Sequence, residues 1–522
     1  MKEKIFNLLE EPWILATSME GQPISLNLTD IFVKAHEIKA LSGEMPAQDI
    51  AILRLLLGVL YAVITRREEY KQAREDEDDV AVIPIWKALW EAKHFQAGEI
   101  NAYLQKYHDR FYLIHPERPF YQIPELNKGS EYPVSKLIGD LSQSNNKIQL
   151  FGGRSGTAIN SIKYEEATRW LIYINAFDDA SGKPTVRGGS LPSVGPGWPG
   201  KLGLVYASGD NFFETLMLNL VLLNGDELWE DGKTTWELDC PRTSERTKIS
   251  LPKNQMSLLT MQSRRINLIL SGKSVIGFKA IGGDFFQEDK AFTELMTAWK
   301  QDREDKERYK PKIHDTSKQF WRDSSAIFTE DEKSRQPGII KWLTSLAYDG
   351  AIDSRHMQIR AVSVKYAGAQ RSATEDIWED SITINASLFS THGEAWLERI
   401  PGLLTTTDKL VNVLGFLAAD IAAALGDRDG KKYISPTKEE AYFRLDGPFR
   451  TWLANIDPTS AVDMDETCKT WLNIAQGIIL NLGQELISQA GTTAFIGRAG
   501  HTSPEAYNKF RRIIYSILKG KE

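Results

Sequence analysis

The sequence predicts an α+β protein in which a large mixed N-terminal domain with a loop-rich surface, residues 1–385, is followed by a C-terminal four-helix bundle, residues 386–522. Three observations carry this expectation. The N-terminal part mixes short runs of alternating apolar and polar residues, bounded by turn signals, with one strongly apolar helical stretch. Glycine and proline punctuate residues 137–203, which reads as a broad loop surface of the kind that carries binding. After THGEAW, apolar residues recur at three- and four-residue spacing to the end of the chain, the helical period.

Taken in order, EPWILATSMEGQPISLNLTDIF alternates around a Glu-Gly turn and reads as a hairpin. Residues 48–70 form a helix whose apolar stripe is nearly continuous, and TRREEYKQAREDEDD follows as a charged helix end or solvated loop. RRINLILSGKSVIGFKAIGG holds two β-rich runs around Ser-Gly-Lys and reads as a second hairpin, carrying Arg264, Arg265, Lys273 and Lys279. Helical segments then cover residues 394–403, 408–425, 438–455, 465–489 and 504–519, separated by Gly, Pro and Asp breakers and forming about four main helices. No repeat of 20–50 residues is visible.

Composition bounds the function. A chain of 522 residues exceeds one ordinary core, and 42% hydrophobic with 25% charged content is globular rather than disordered. The two cysteines, Cys240 and Cys468, are far apart and lack partners at ligand spacing, so they encode neither a disulfide framework nor a zinc knuckle. The N-terminal stretch lacks a signal-type apolar region, and the longest apolar run, residues 51–64, is interrupted by Arg54 and falls short of the roughly 20 residues a bilayer needs. A cytoplasmic protein with no membrane partner is expected. The net charge of −7 argues against a chain that coats nucleic acid by itself. Residues 242–279 nonetheless hold eight basic residues against one acid, which is either a footprint for a polyanion or a solvated basic face.

Motifs were weighed against known chemistry. LFGGRSGTAINS, residues 150–161, is rich in glycine and hydroxyls but lacks the Gly-Lys-Ser/Thr ending of a triphosphate loop and the flanking glycines of a hydrolase elbow. The literal G-x-G-x-x-G at residues 195–200 holds two prolines where a helix would open onto a pyrophosphate, and reads as a turn. Asp178-Asp179, beside Ser181-Gly182, also reads as a turn, and His115 in FYLIHPERPFYQ as a packed histidine. The eight histidines show no H-x-x-x-H spacing, so no catalytic residue, metal site or cofactor is expected. What remains is binding: backbone-exposing loops, a basic hairpin, and aromatics such as Phe151 on which bases stack. Nucleic-acid binding leads protein scaffolding.

FNLLEEPWI, FYLIHPERPFYQ, MQSRRINLIL, MTAW ending at Trp299, and the terminal helical bundle, in that order, resemble the CasA family, the large subunit of the type I-E CRISPR surveillance complex Cascade. The resemblance runs from Phe6 to Lys519. It implies a non-enzymatic subunit that holds the 5′ handle of the guide RNA and inspects double-stranded DNA for the protospacer-adjacent motif (PAM). Such a subunit starts strand separation toward an R-loop, contacts other Cascade subunits and docks the helicase-nuclease in antiviral defence. By the same resemblance, Phe151, Gly152, Gly153, Arg154, Ser155 and Gly156 belong to a mobile loop facing the RNA handle and the PAM end.

Gly182 is the best match to a glycine loop approaching the minor groove, with Gly188-Gly189 as a substitute. Lys290, nine residues before Trp299, matches a lysine entering that groove, and Gln370, four after Tyr366, matches a wedge beneath the PAM. A minor-groove reader of this kind tolerates several PAM sequences, because that groove distinguishes base pairs poorly. Some relatives carry cysteine pairs before the lysine; only Cys240 lies there in this chain, so no structural metal is expected. Arg264, Arg265, Lys273, Lys279, Lys509, Arg511 and Arg512 are candidate nucleic-acid backbone contacts from charge, as is Lys519. The alternatives are a scaffold subunit that does not read DNA and a nuclease with an unrecognised site.

Overall fold

The computed structural model describes residues 3–141, 153–179, 181–191, 194–323, 328–352, 355–367, 373–427, 429–461, 463–498 and 500–519. Phe151, Gly152 and Gln370 lie outside the described residues. The chain divides into two compact units, Met1–Ala351 with Met357–Ser381, and Ile352–His356 with Ile382–Glu522. The first mixes helices and small sheets and the second is helical, which bears out the α+β class with its C-terminal helical region.

The first unit is organised by helix α1, Pro46–Ile64, in which every residue from Ile50 onward is buried. A helix covered on all sides has no reason to be amphipathic, which is why its apolar stripe reads as continuous. By length and composition α1 could cross a bilayer, yet 89% of its apolar window lies inside the protein, making it a core helix. Arg54 interrupts it without breaking the core. Its guanidinium donates to both carboxylate oxygens of Glu294, at 2.9 and 2.8 Å. Glu294 also accepts from the Trp198 indole at 2.7 Å and the Met296 amide at 3.1 Å. A charge this deep is tolerated only when paired and fully hydrogen-bonded, and here both members are.

The helix expected over residues 48–70 ends at Ile64, and a separate helix follows at Glu68–Glu75. The break has a cause in charge pairing. Arg66 turns to Glu237, with two bonds of 2.7 Å, and Arg67 to Glu99, at 2.9 and 2.7 Å. The first arginines of the TRREEYKQAREDEDD stretch are thus paired with acids distant in the chain. A second departure lies in residues 137–203, where a buried 14-residue helix, α2, Tyr164–Phe177, runs through what the glycine and proline content marks as loop and packs on α1.

Both expected hairpins are present. Ile14–Ser18 pairs antiparallel with Pro23–Leu26, and Ile38–Leu41 adds to the other edge. Strand β1 is Ser130–Pro133 and β2 is Leu204–Ser208. β3, Arg264–Ser271, pairs with β4, Ser274–Gly282, from Arg264 opposite Gly282 to Ser271 opposite Ser274, and β1 joins beside β4. β5, His356–Ala367, lies between β2 and β6, Ala373–Asn385.

The second unit holds four main helices: α3 (Glu394–Ala424), α4 (Ile434–Ala454), α5 (Met464–Ile496) and α6 (Ser503–Lys519). The two segments expected at 394–403 and 408–425 are one helix. Its Thr405, Thr406 and Thr407 hydroxyls each donate to the carbonyl four residues back, at 2.9 Å, so TTTD continues the helix across Pro401 instead of ending it.

Replacing Glu294 by Gln leaves the Arg54 charge buried without its counter-ion. The expected loss is about 3–5 kcal/mol in urea unfolding, with a smaller loss when Arg54 and Glu294 are both replaced by Leu. A Glu294→Gln variant as stable as the parent would show that the pair does not hold the core.

Candidate nucleic-acid interface

The C-terminus of α2 leads directly into Asp178 and Asp179, and both carboxylates are buried. They do not form a solvated turn. Lys183 reaches Asp179 at 2.8 Å and Asp178 at 3.0 Å; Lys136 pairs with Asp179 and approaches Asp178 at 3.8 Å; Arg264 pairs with Asp178. Two acids are thus surrounded by three cations. Burial alone would push both carboxyls up, but Lys183 with Arg264 at Asp178, and Lys183 with Lys136 at Asp179, overcome it and hold both below the usual range. Burial and the neighbouring Arg264 hold the Lys183 ammonium below its usual range.

Gly182 lies between these anchors, exposed, with Asp179 and Lys183 fixed on either side. Asp179 also accepts from the Ser181 amide, at 3.0 Å. The loop therefore presents backbone from a rigid base. Gly188 and Gly189, the substitute pair, both adopt positive φ and stand in open space, in a turn where Thr185 donates to the Gly188 carbonyl at 2.8 Å.

Lys290 is exposed and sits at φ 52°, a left-handed conformation that few non-glycine residues adopt. Its ammonium has no hydrogen bond or ion pair among the described residues. The backbone around it is held firmly: the Phe292 amide donates to the Lys290 carbonyl at 2.8 Å, and Asp289 accepts from the Tyr309 amide at 2.9 Å. Phe292 packs edge-on against Trp299 and Tyr309, at 5.2 and 5.7 Å between ring centroids, and Arg335 covers it at 4.2 Å. An aromatic platform thus supports an unpaired cation.

The segment Gly195 to Gly200 links the two loops. Arg264 donates to the Gly195 carbonyl at 3.3 Å, and Lys201 pairs at 2.7 Å with Glu288, two residues before Lys290. Gly197 packs so closely on the Ala176 carbonyl, at the end of α2, that a Cβ there has no room. Gly200 likewise packs against the Tyr366 hydroxyl, while Gly195 supplies a positive φ at the turn. Tyr366 on β5 donates to the Phe177 carbonyl at 2.8 Å, so the strand leading toward Gln370 is fixed to the same helix end.

Other candidates are corrected. Arg264 and Arg265 are each 1% exposed, so neither rides on an open sheet face. Arg265, Arg242 and Arg246 all converge on Asp284, the last two at 2.9 and 2.8 Å, and Asp284 lies just past the counted basic segment. Lys253 pairs with Glu230 at 3.0 Å and Lys279 approaches Glu131 at 4.0 Å. The apparent footprint is partly neutralised by acids outside it, with three arginines sharing Asp284, while Lys273 stays exposed at the hairpin turn.

Arg154 pairs with Glu166, approaches Asp140 at 3.6 Å and lies over the Trp170 ring, anchoring the end of its loop rather than extending from it. Gly153, Ser155 and Gly156 are exposed. On α6, Lys509 pairs with Asp420 at 3.0 Å and Arg511 lies over Tyr515, while Arg512 and Lys519 are exposed. His115 is buried, as expected, and bonds to Asp109 at 3.1 Å. Among the described residues, no group of three His, Cys, Asp or Glu side chains is placed to hold a metal ion. Sequence reasoning missed the buried acids; a double aspartate followed within five residues by a lysine, at the end of an apolar helix, was the available signal.

A mixed unit of this topology followed by a helical bundle is the architecture of CRISPR-associated large proteins of known structure. Cse1 of Thermobifida fusca aligns with a TM-score of 0.87 at 28% identity, covering 98% of both chains. A chain of a CRISPR RNA-guided surveillance complex shares the fold, with a TM-score of 0.75 at 16% identity over 98% of this chain and 99% of that one. The CRISPR-associated protein CasA/Cse1 of Thermus thermophilus is 26% identical over 486 residues, 88% of this chain and 89% of that protein. The family described as CRISPR-associated protein Cse1 matches residues 7–482, and the chain belongs to that family.

Because Asp178 and Asp179 are held below the usual carboxylate range, the stability they supply is complete above the unfolded value of about 4 and is lost as pH falls below it. Asp179→Asn is expected to lower stability at pH 7 by about 3 kcal/mol, to flatten the loss between pH 4 and 2, and to speed hydrogen exchange at residues 181–191. Unchanged exchange there would show that the cluster does not fix the Gly182 loop.

Proposed function

We propose that this protein is the non-catalytic large subunit of a type I-E Cascade complex in the cytoplasm. It recognises the PAM in double-stranded DNA, starts unwinding for guide-RNA pairing, and helps recruit the helicase-nuclease in antiviral defence. The observation that carries the DNA-reading part is Lys290: an unpaired, exposed ammonium on strained backbone, braced by an aromatic platform and linked to the Gly182 loop through Lys201 and Glu288. Backbone held in rare conformations persists where the surroundings enforce it, and such places cluster at functional sites.

In this reading, Gly182 brings backbone and Lys290 brings one charge to the minor groove, whose edges separate A·T from G·C pairs and little more. Gln370, in the segment joining β5 and β6, wedges beneath the PAM, and the unstacking cost is recovered by guide pairing. Exposed Gly153, Ser155 and Gly156, with Phe151 and Gly152 before them, face the RNA handle. The acidic net charge supports dependence on the assembled complex, since the isolated chain repels a polyanion.

In reconstituted complex at fixed salt, Lys290→Ala and Gln370→Ala are each expected to reduce discrimination between PAM-bearing and PAM-less duplex by about tenfold, with assembly intact. Full discrimination by both variants would favour a scaffold that does not read DNA. The isolated chain is expected to leave DNA uncut in magnesium or manganese; cleavage would favour the nuclease reading.

A further inference from the structure

Two of the sequence words noted above meet at a cleft that the proposed function does not use. FYLIHPERPFYQ contributes Arg118 and Phe120 to its lining, MQSRRINLIL contributes Gln262, and Arg110, Trp236 and Arg242 also line it. The guanidinium groups of Arg110 and Arg118 have no hydrogen bond or ion pair among the described residues, although both residues are half-buried. Gln262 is 7% exposed, and its carboxamide likewise has no partner among them. Arg242 directs one nitrogen to Asp284 at 2.9 Å, but Asp284 is shared with Arg246 and Arg265, so this group of four keeps a surplus of positive charge. A guanidinium carries five N–H donors in a fixed fork, and Arg242 retains several for the cleft.

Nearby acids do not neutralise the site. Asp109 is committed to Lys4 and His115, and Glu237 to Arg66 and Tyr103. Asp239, exposed, acts on Arg110 only through charge. Burial, and then the charge of Arg118, hold the Arg110 guanidinium below its usual range: two like charges face each other across a partly desolvated space.

The surroundings are rigid. His115 Nδ1 accepts from the Glu117 and Arg118 amides, at 3.1 and 2.9 Å, and so fixes the turn that carries Arg118. Phe120 packs against Trp236 at 6.4 Å, and Trp236 against Phe111 at 5.4 Å. Tyr121, next in the chain, is held at φ 55°. The cleft has room for roughly three waters or one tetrahedral oxyanion, at about 10–15 Å³ per water.

We propose that the Arg110–Arg118–Arg242 cleft is a binding site for a single phosphate group, held by forked guanidinium contacts and the Gln262 carboxamide. It does not depend on the function proposed above. The phosphate is either the free ion or the terminal group of a polynucleotide, which present the same oxygens.

The full chain is titrated by calorimetry with inorganic phosphate, against chloride at matched ionic strength, and then with a 5′-phosphorylated and a 5′-hydroxyl tetranucleotide. Saturable phosphate binding is expected, weakened about tenfold by Arg110→Gln and by Arg118→Gln and unchanged by the surface control Lys253→Gln. Relief of repulsion predicts that both arginine variants, without ligand, unfold at or above the parent's temperature, whereas merely structural arginines would lower it. Arg118-dependent binding of the 5′-phosphorylated oligonucleotide, but not of its 5′-hydroxyl counterpart, assigns a polynucleotide terminus; binding of inorganic phosphate alone assigns the free ion. No binding beyond the chloride control, or variants that bind as the parent does, overturns the proposal.

Discussion

The N-terminal unit depends on a buried ionic cluster, Asp178 and Asp179 with Lys136, Lys183 and Arg264. Neither carboxylate could be taken out of water alone, since desolvating an ion costs several kcal/mol and only close, hydrogen-bonded counter-charges offset it. The three cations come from different places: Lys136 from the short helix after β1, Lys183 from beyond Gly182, and Arg264 from the first residue of β3. The cluster can form only when α2, the hairpin and the Gly182 loop have all reached their final positions. Charge pairing here supplies specificity of arrangement more than net stability, and the glycine loop inherits a fixed origin from it.

That constraint explains where the linear reading of charge went astray. Counting along residues 242–279 gives a strongly basic segment, but a count along the chain cannot see Asp178, Asp284, Glu131 or Glu230; Asp284 meets three of those cations in space and the others one each. The identity of Arg264 and Arg265 was legible; their burial was not, because alternation along a strand does not say which acids lie behind it. The same limit applied to Asp178-Asp179, whose turn-like neighbours concealed a core position.

Other features were legible for good physical reason. The hairpin at β3 and β4 announces itself by two β-rich runs around a turn in which Gly272 takes a positive φ. The terminal helices follow from apolar periodicity, which survives any tertiary detail. Their boundaries did not, since TTTD looks like a breaker in one dimension while each threonine hydroxyl is satisfied by the preceding turn. Helix α2 was hidden by company: it lies among glycines and prolines that belong to the loops on either side. Lys290 and Gly182 are candidates through resemblance alone, since nothing in composition or spacing distinguishes that lysine from other exposed ones. Only its backbone angle and its lack of a partner set it apart.

On the function proposed above, an acidic chain must concentrate its attraction for a polyanion at a few points. Many of the arginines and several lysines among the described residues pair with carboxylates within the fold, which weakens the attraction they offer a distant polyanion. Among the cations that the described residues leave unpaired are Lys290 beside its aromatic platform, Lys273 at a hairpin turn, and Arg110 and Arg118 in a walled cleft. Leaving a half-buried guanidinium without a counter-ion, or a lysine in a left-handed conformation, costs stability that ordinary packing would avoid. In such a protein the informative quantity is therefore not how many positive charges a segment holds, but which of them the rest of the structure declines to neutralise.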